Sequence, residues 1–258
     1  MLNLEEKERN ILDHGIDVLL FIGVPVGLIV LWEILSIKGF INSSILPAPS
    51  EIFKIINEML TSGELVKHLQ VSSIRVGKGF VIGSTLGVVI GTLMGFFSKF
   101  NKAMMVIFGV LRPIPMIGWI PLLILWMGID EGSKVTVIAI GSFWELLLNT
   151  IHGINSVDKK YLEVAYILEK SKLITLIKVV LPSALPSILT GIRLGVGGAW
   201  KSVVAAELIA ASSGIGYLIS YAREVSQPGV MLVGLLTIGL IGLLIDFVIL
   251  RVQHKIIR

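Results

Sequence analysis

Six ionisable side chains sit inside apolar runs of this 258-residue chain: Arg112, Glu145, Arg193, Lys201, Glu207 and Asp246. Charges in such surroundings are expensive, and they mark either a solute path or a structural pair. A cation beside an aromatic ring suits the passage of a small anion, and Lys201 directly follows Trp200. On a helix turning about 100° per residue, Arg193, Gly197, Trp200 and Glu207 share a narrow stripe with Lys201 to one side. Trp200 and Lys201 therefore read as lining a path, with Arg112 contributing from a proline-broken segment. Glu145 needs a partner, Lys201 or Arg112, and pairing with Lys201 would neutralise that ammonium and weaken the case for an anion. Glu207 reads either as a gate or as a structural cap at the outer end. Arg193, placed near the inner end, reads as reaching the lipid headgroups, and Asp246 as a structural partner or an interfacial residue.

No catalytic constellation accompanies these charges. An intramembrane enzyme needs paired acids, a histidine cluster or a nucleophile with its base, and the charges here are isolated. With no cysteine there is no disulfide or thiolate site. His14, His68, His152 and His254 lack ligand spacing, so no metal site is expected. The Gly77-Lys78 pair is followed by Gly79 rather than Ser or Thr and lacks phosphate-loop spacing, so no nucleotide or other cofactor is expected in the chain itself. The formal charge of +4, from 22 Lys and Arg against 18 Asp and Glu, is assigned to basic loops and not to nucleic-acid binding. Trp119, Trp126, Trp144 and Trp200 form an aromatic lining or interfacial anchors, the anchor reading being preferred for Trp126.

The elements that must carry these residues follow from hydropathy. A chain with 54% hydrophobic and 16% charged residues and a mean hydropathy of +0.89 is an integral membrane protein of the all-α class. Six transmembrane helices are expected, at about 16–37, 65–97, 103–127, 134–154, 183–211 and 230–250. The segment 51–63 has amphipathic spacing, with Ile52, Ile55, Ile56 and Met59 on one face, and is placed on the outer interface. Glycines 83, 87, 91 and 95 recur every fourth residue and predict a close helix–helix seam, whereas Pro113, Pro115 and Pro121 make the third span irregular and interior. Residues 1–64 are expected as a cytoplasmic tail, a peripheral first helix and the interfacial helix, and 65–258 as a core of five spans. The acidic start of the chain reads as a retained tail rather than a cleaved leader. Basic residues, among them Lys99, Lys102, Lys159, Lys160, Lys170, Lys172 and Lys178, place both termini and the central polar stretch in the cytoplasm.

That central stretch, 159–182, carries the most specific signal. Its sequence resembles the EAA loop of the membrane subunits of bacterial ABC importers: Glu163-Val164-Ala165 stands where the family has Glu-Ala-Ala, and Val180-Leu181-Pro182 where an apolar residue precedes Leu-Pro. The runs LRPIPMIGWIPLLILWMGI, LNT at 148–150, LPSALPSILTGIRL and AWKSVVAAELIAASSGIGYLI are similar to the branch that imports nitrate, sulfonates, taurine, bicarbonate and related small molecules. The resemblance spans nearly the whole chain from Leu46 onward. It implies a type I ABC importer permease fold and a pore made with a second copy of the chain. It also implies two cytoplasmic ATPase subunits carrying ATP and Mg, an extracytoplasmic substrate-binding protein and alternating access in a bacterial inner membrane. The coupling residues it implies are Tyr161, Leu162, Glu163, Ala165, Leu168, Glu169, Lys170, Ser171, Leu181 and Pro182. An apolar side made by Tyr161, Leu162, Ala165, Leu168 and Leu173, rimmed by charge, agrees with docking into a partner groove. The family usually has glycine where Glu169 stands; either Glu169 takes a different turn, with Ser171 capping the next helix, or the loop differs in shape. The same machinery importing a vitamin or its pyrimidine precursor is an alternative reading. An ion-coupled carrier is more distant, since no inverted repeat is visible.

Overall fold

The structure, a computed structural model, describes the backbone of residues 2–256 and the side chains of 20–253 and 255. His14 and His254 thus lie outside the described side chains. The chain forms eleven α-helices among the described residues: α1 Leu2–Ile37, α2 Pro49–Thr61, α3 Glu64–Phe96, α4 Ser98–Leu111, α5 Met116–Met127, α6 Glu131–Asn155, α7 Lys159–Ile167, α8 Lys172–Thr175, α9 Leu181–Ala210, α10 Ile215–Glu224 and α11 Pro228–Ile256. Five stretches are long and apolar enough to cross a bilayer, or six if the bent pair α4–α5 is counted as one span.

Helix α6 is the centre, packed between α3 on one side and α9 on the other. Both seams depend on glycine. A Cβ at Gly83 would run into the Ala139 carbonyl and the Ser142 hydroxyl, and one at Gly87 or Gly91 would meet the 143–150 stretch of α6. The predicted seam thus holds, and Gly79 extends it by one more four-residue step against Val135 and Ile138. Across α6, Gly141 and Gly198 bring their backbones together, while Gly191 and Gly195 fit against Asn149 and Leu146. Backbones this close gain dispersion contacts and need no hydrophobic driving force, which lipid does not supply.

Elsewhere the structure corrects the sequence reading. Helix α1 reaches back to Leu2, through the segment expected as a tail. The third span is not one irregular helix: α4 and α5 meet at 97°, and α4 buries no residue within the chain. Pro113 and Pro115 lack the N–H that would continue a helix, and each disfavours helical geometry in the residue before it. Pro115 is extended (ψ 140) and restarts the chain as α5. The segment between the fifth and sixth expected spans contains a further helix, α10, whose Ile215, Leu218, Ile219 and Ala222 are buried. Their i, i+3, i+4, i+7 spacing was the available signal. Helix α2 lays Ile52, Ile55, Ile56 and Met59 on Leu65, Leu218, Ile219 and Val233, so its apolar face covers protein and leaves Phe53 outward.

Candidate functional site

The bend between α4 and α5 opens a cleft of about 610 Å³ between α6, α9 and α11. Its walls bring together Arg112, Glu145, Trp200 and Lys201, four of the five residues expected along a path, together with Trp144, Arg193, Ser202 and Asp246. Arg112 caps the end of α4 and Glu145 projects from the middle of α6, whereas Trp200 and Lys201 belong to α9. Lys201 and Arg112 are exposed and Glu145 is half-buried. Among the described residues, no ion pair within 4.0 Å joins Glu145 to Lys201 or Arg112. Of the tryptophans, Trp144 and Trp200 face the cleft, Trp126 is 65% exposed, and Trp119 packs with Ile120 and Leu123.

Arg193 does not behave as read, whereas Asp246 takes the structural-partner role that was one of its two readings. Arg193 lies about 18 Å into α9 from Leu181, near mid-helix, and its side chain is engaged by a carboxylate. Its guanidinium grips Asp246 of α11 in two parallel bonds, Nε to Oδ1 at 2.7 Å and Nη2 to Oδ2 at 2.8 Å. The antiparallel α9–α11 contact is also held by Trp200 Nε1 donating to the Ile238 carbonyl (3.0 Å) and Gln253 Nε2 donating to Thr190 Oγ1 (3.1 Å).

Glu207 does not line the cleft. Its side chain is fully buried at the far end of α9, where it accepts from Ser72 Oγ at 2.8 and 2.9 Å, from Arg75 Nη1 at 2.8 Å and from the Gly216 N–H at 2.9 Å. Arg75, absent from the residues singled out in the sequence, is 3% exposed and also binds Glu131 at the start of α6, with Nε to Oε2 at 2.8 Å. Ser72 Oγ in turn accepts from the Ile215 N–H, and His68 Nδ1 accepts from the Gly214 N–H at 3.0 Å. Four helices, α3, α6, α9 and α10, are thereby clamped at one end. Gly214 has φ +113, and any Cβ there would strike the Glu207 carboxylate. Removing one partner from such a buried pair leaves an uncompensated charge and costs about 3–5 kcal/mol. The sequence signal was Ser72 and Arg75 three residues apart on one face of α3.

At the opposite end, α7 stands out from the bundle. Asp158 caps it by accepting from the Lys160 N–H at 2.9 Å. It closes in a reciprocal pair of bonds, Glu169 N–H to the Tyr166 carbonyl (2.9 Å) and Lys170 N–H to the Ala165 carbonyl (3.0 Å), with Glu169 left-handed at φ +49. That is the turn glycine usually makes, formed here with a side chain in place. Ser171 Oγ then accepts from the Ile174 N–H at 3.4 Å and starts α8, as one alternative anticipated. The expected apolar side is divided. Ala165 is buried within the chain, whereas Tyr161 and Leu168 are exposed and Tyr166 and Ile167 are more exposed still, at 84% and 76%. Leu162 and Leu173 also lie open, as do the charged Glu163 and Lys170. Between α8 and α9 the chain makes a π-helical turn, Leu176–Val180, ahead of half-buried Leu181 and exposed Pro182. Pro182 offers no N–H and crowds the carbonyl four residues earlier, and the wider turn accommodates it.

Residues 83–258 match the family described as binding-protein-dependent transport system inner membrane component. The chain belongs to this family. It is 39% identical over 235 residues to the putative aliphatic sulfonates transport permease protein SsuC of Bacillus subtilis, covering 91% of this chain and 85% of that one. It is 32% identical over 244 residues to the bicarbonate transport system permease protein CmpB of Synechococcus elongatus, covering 90% and 87%. A solved structure of the MetNI methionine ABC transporter in an inward-facing conformation superposes with a TM-score of 0.64 at 18% identity, covering 78% of this chain and 97% of that one. The fold is accordingly that of a type I ABC permease, and the chain is a multi-pass, non-enzymatic membrane subunit of an ABC importer.

Proposed function

We propose that this permease forms, with a second copy of itself, the path by which a small oxyanion enters the cytoplasm, driven by ATP hydrolysed on two partner ATPases that carry the Mg. A binding protein delivers the cargo from outside, and the paired permeases alternate between outward and inward access. Residues 65–258 act as the moving core and 1–64 as its periphery, with both termini and α7 in the cytoplasm. The observation that carries this reading is the cleft: Arg112, Arg193 and Lys201 against Glu145 and Asp246 leave one surplus positive charge at membrane depth beside two tryptophans. A monovalent anion is the solute such a site favours. The names of the relatives, sulfonate and bicarbonate permeases, are consistent with that chemistry. Docking of the ATPase is assigned to α7 and its turn, residues 161–171, with Leu181 and Pro182 passing the motion into α9.

The test is uptake of radiolabelled alkanesulfonate and bicarbonate into proteoliposomes holding the complete transporter. Uptake requires hydrolysable ATP, and Lys201→Gln lowers it about tenfold, the factor for losing one charge–anion interaction of about 1.4 kcal/mol. Uptake that persists without ATP, or that ignores Lys201, sinks the reading.

A further inference from the structure

Among the described residues, Arg193–Asp246 is the ion pair whose two members border the cleft. The side chains are 31% and 54% exposed, so a solute in the cleft can reach both. The pair is a guanidinium fork closed on two carboxylate oxygens, the same planar geometry in which arginine holds any oxyanion that presents two oxygens. It is flanked on both sides by contacts that bind α9 to α11 without it: Thr190–Gln253 one turn below, and Trp200 against Ile238 and Gly242 two turns above. Opening the fork therefore does not part the helices.

We propose that Asp246 is a tethered placeholder in the Arg193 fork, and that the oxyanion cargo binds by taking its place. The inference rests on reading the cleft as a cargo path, and it assigns Arg193 as the residue that selects for oxyanions. A sulfonate or bicarbonate head reproduces the carboxylate's two oxygens; a halide offers one point of contact and a neutral isostere no charge. A single negative charge entering the cleft balances its three cations against Glu145, Asp246 and the cargo. The displaced Asp246 turns toward Arg112 and Lys201, so the cleft stays neutral while occupied. The placeholder also weakens binding, because cargo sees only the fraction of time the fork stands free. A site that must release its cargo benefits from that weakness.

The experiment titrates the assembled transporter with methanesulfonate, with bicarbonate and with dimethyl sulfone as a neutral isostere, reading thermal protection. Wild type is expected to be protected by both oxyanions and not by the sulfone. Asp246→Asn vacates the fork and lowers the half-protecting concentration about tenfold, the factor for a fork that is free about a tenth of the time. Arg193→Lys keeps the charge, loses the fork and raises that concentration several-fold. No protection of wild type, equal protection of wild type and Asp246→Asn, or weaker protection in both variants overturns the proposal, leaving the pair a structural latch. If Asp246→Asn does not assemble, Arg193→Lys decides alone, and an unchanged concentration overturns it. Uptake is measured separately: tighter binding by Asp246→Asn in a transporter that moves no oxyanion sinks the transport reading while the exchange stands.

Discussion

A glutamate in the left-handed region is held there by its surroundings. The Glu169 turn keeps both reciprocal backbone bonds of a glycine-closed helix end, so φ +49 is imposed by hydrogen bonding and not by residue preference. A β-carbon in that conformation costs about 1–2 kcal/mol. Glu169→Gly relieves the strain but loosens the unfolded chain, and the net expected gain is below about 1 kcal/mol. Glu169→Pro forbids the angle and deletes the N–H that reaches Tyr166, so it should melt the turn and release the ATPase. Thermal unfolding of the purified permease, with co-purification of the ATPase, checks both, and a proline variant that still assembles would refute the turn's role. The sequence marked this residue as anomalous without saying which way the anomaly would resolve, because residue type does not fix φ when helix-closing backbone bonds compete with it. The same holds for the charges. Lys201, Arg112 and Glu145 are legible because each is charged inside an apolar run, and Trp200 because it adjoins Lys201. The partners of Arg193 and Glu207 are not legible, since Asp246 lies 53 residues from Arg193 and Ser72 lies 135 from Glu207.

Among helices, the periodic glycines were readable and the direction of the break was not. Four-residue spacing predicts a seam from one sequence, because a smooth helix face is a local property. Proline spacing marks where a helix breaks but not the direction in which the chain turns, and the 97° between α4 and α5 is not written in the three prolines. The seam makes a sharp prediction through two glycines of the same helix. Gly83→Ala drives a methyl into the Ala139 carbonyl of α6, a backbone atom with little room to yield, and should cost about 1–3 kcal/mol. Gly77 has nothing within 4 Å of an added Cβ, so Gly77→Ala should be neutral or stabilising by up to about 1 kcal/mol. Melting temperatures of the two variants in one detergent decide it, and equal losses would place the close contact elsewhere.

Across the whole molecule, the two ends of the bundle are built for opposite tasks. One is closed by the Arg75–Glu207 clamp, which joins four helices through buried charge and resists relative movement. The other carries a short capped helix seated by Ala165, with most of its apolar side chains turned away from the chain, and a π turn leads from it into the helix that bears Lys201. On the proposed reading, force applied at α7 would reach the cleft along α9. That division of labour separates docking from folding in a way single residues can test. Tyr166→Glu with Ile167→Glu places two charges on side chains that lie largely in the open, so the permease should fold, insert and melt as the wild type does while losing the ATPase. Ala165→Trp instead unseats the helix from its own bundle and should lower both stability and assembly. Co-purification with the ATPase and the melting temperature, read together, distinguish the outcomes. If the double glutamate variant holds the ATPase and retains coupled uptake, the partner grips some other surface and α7 is an ordinary solvated loop.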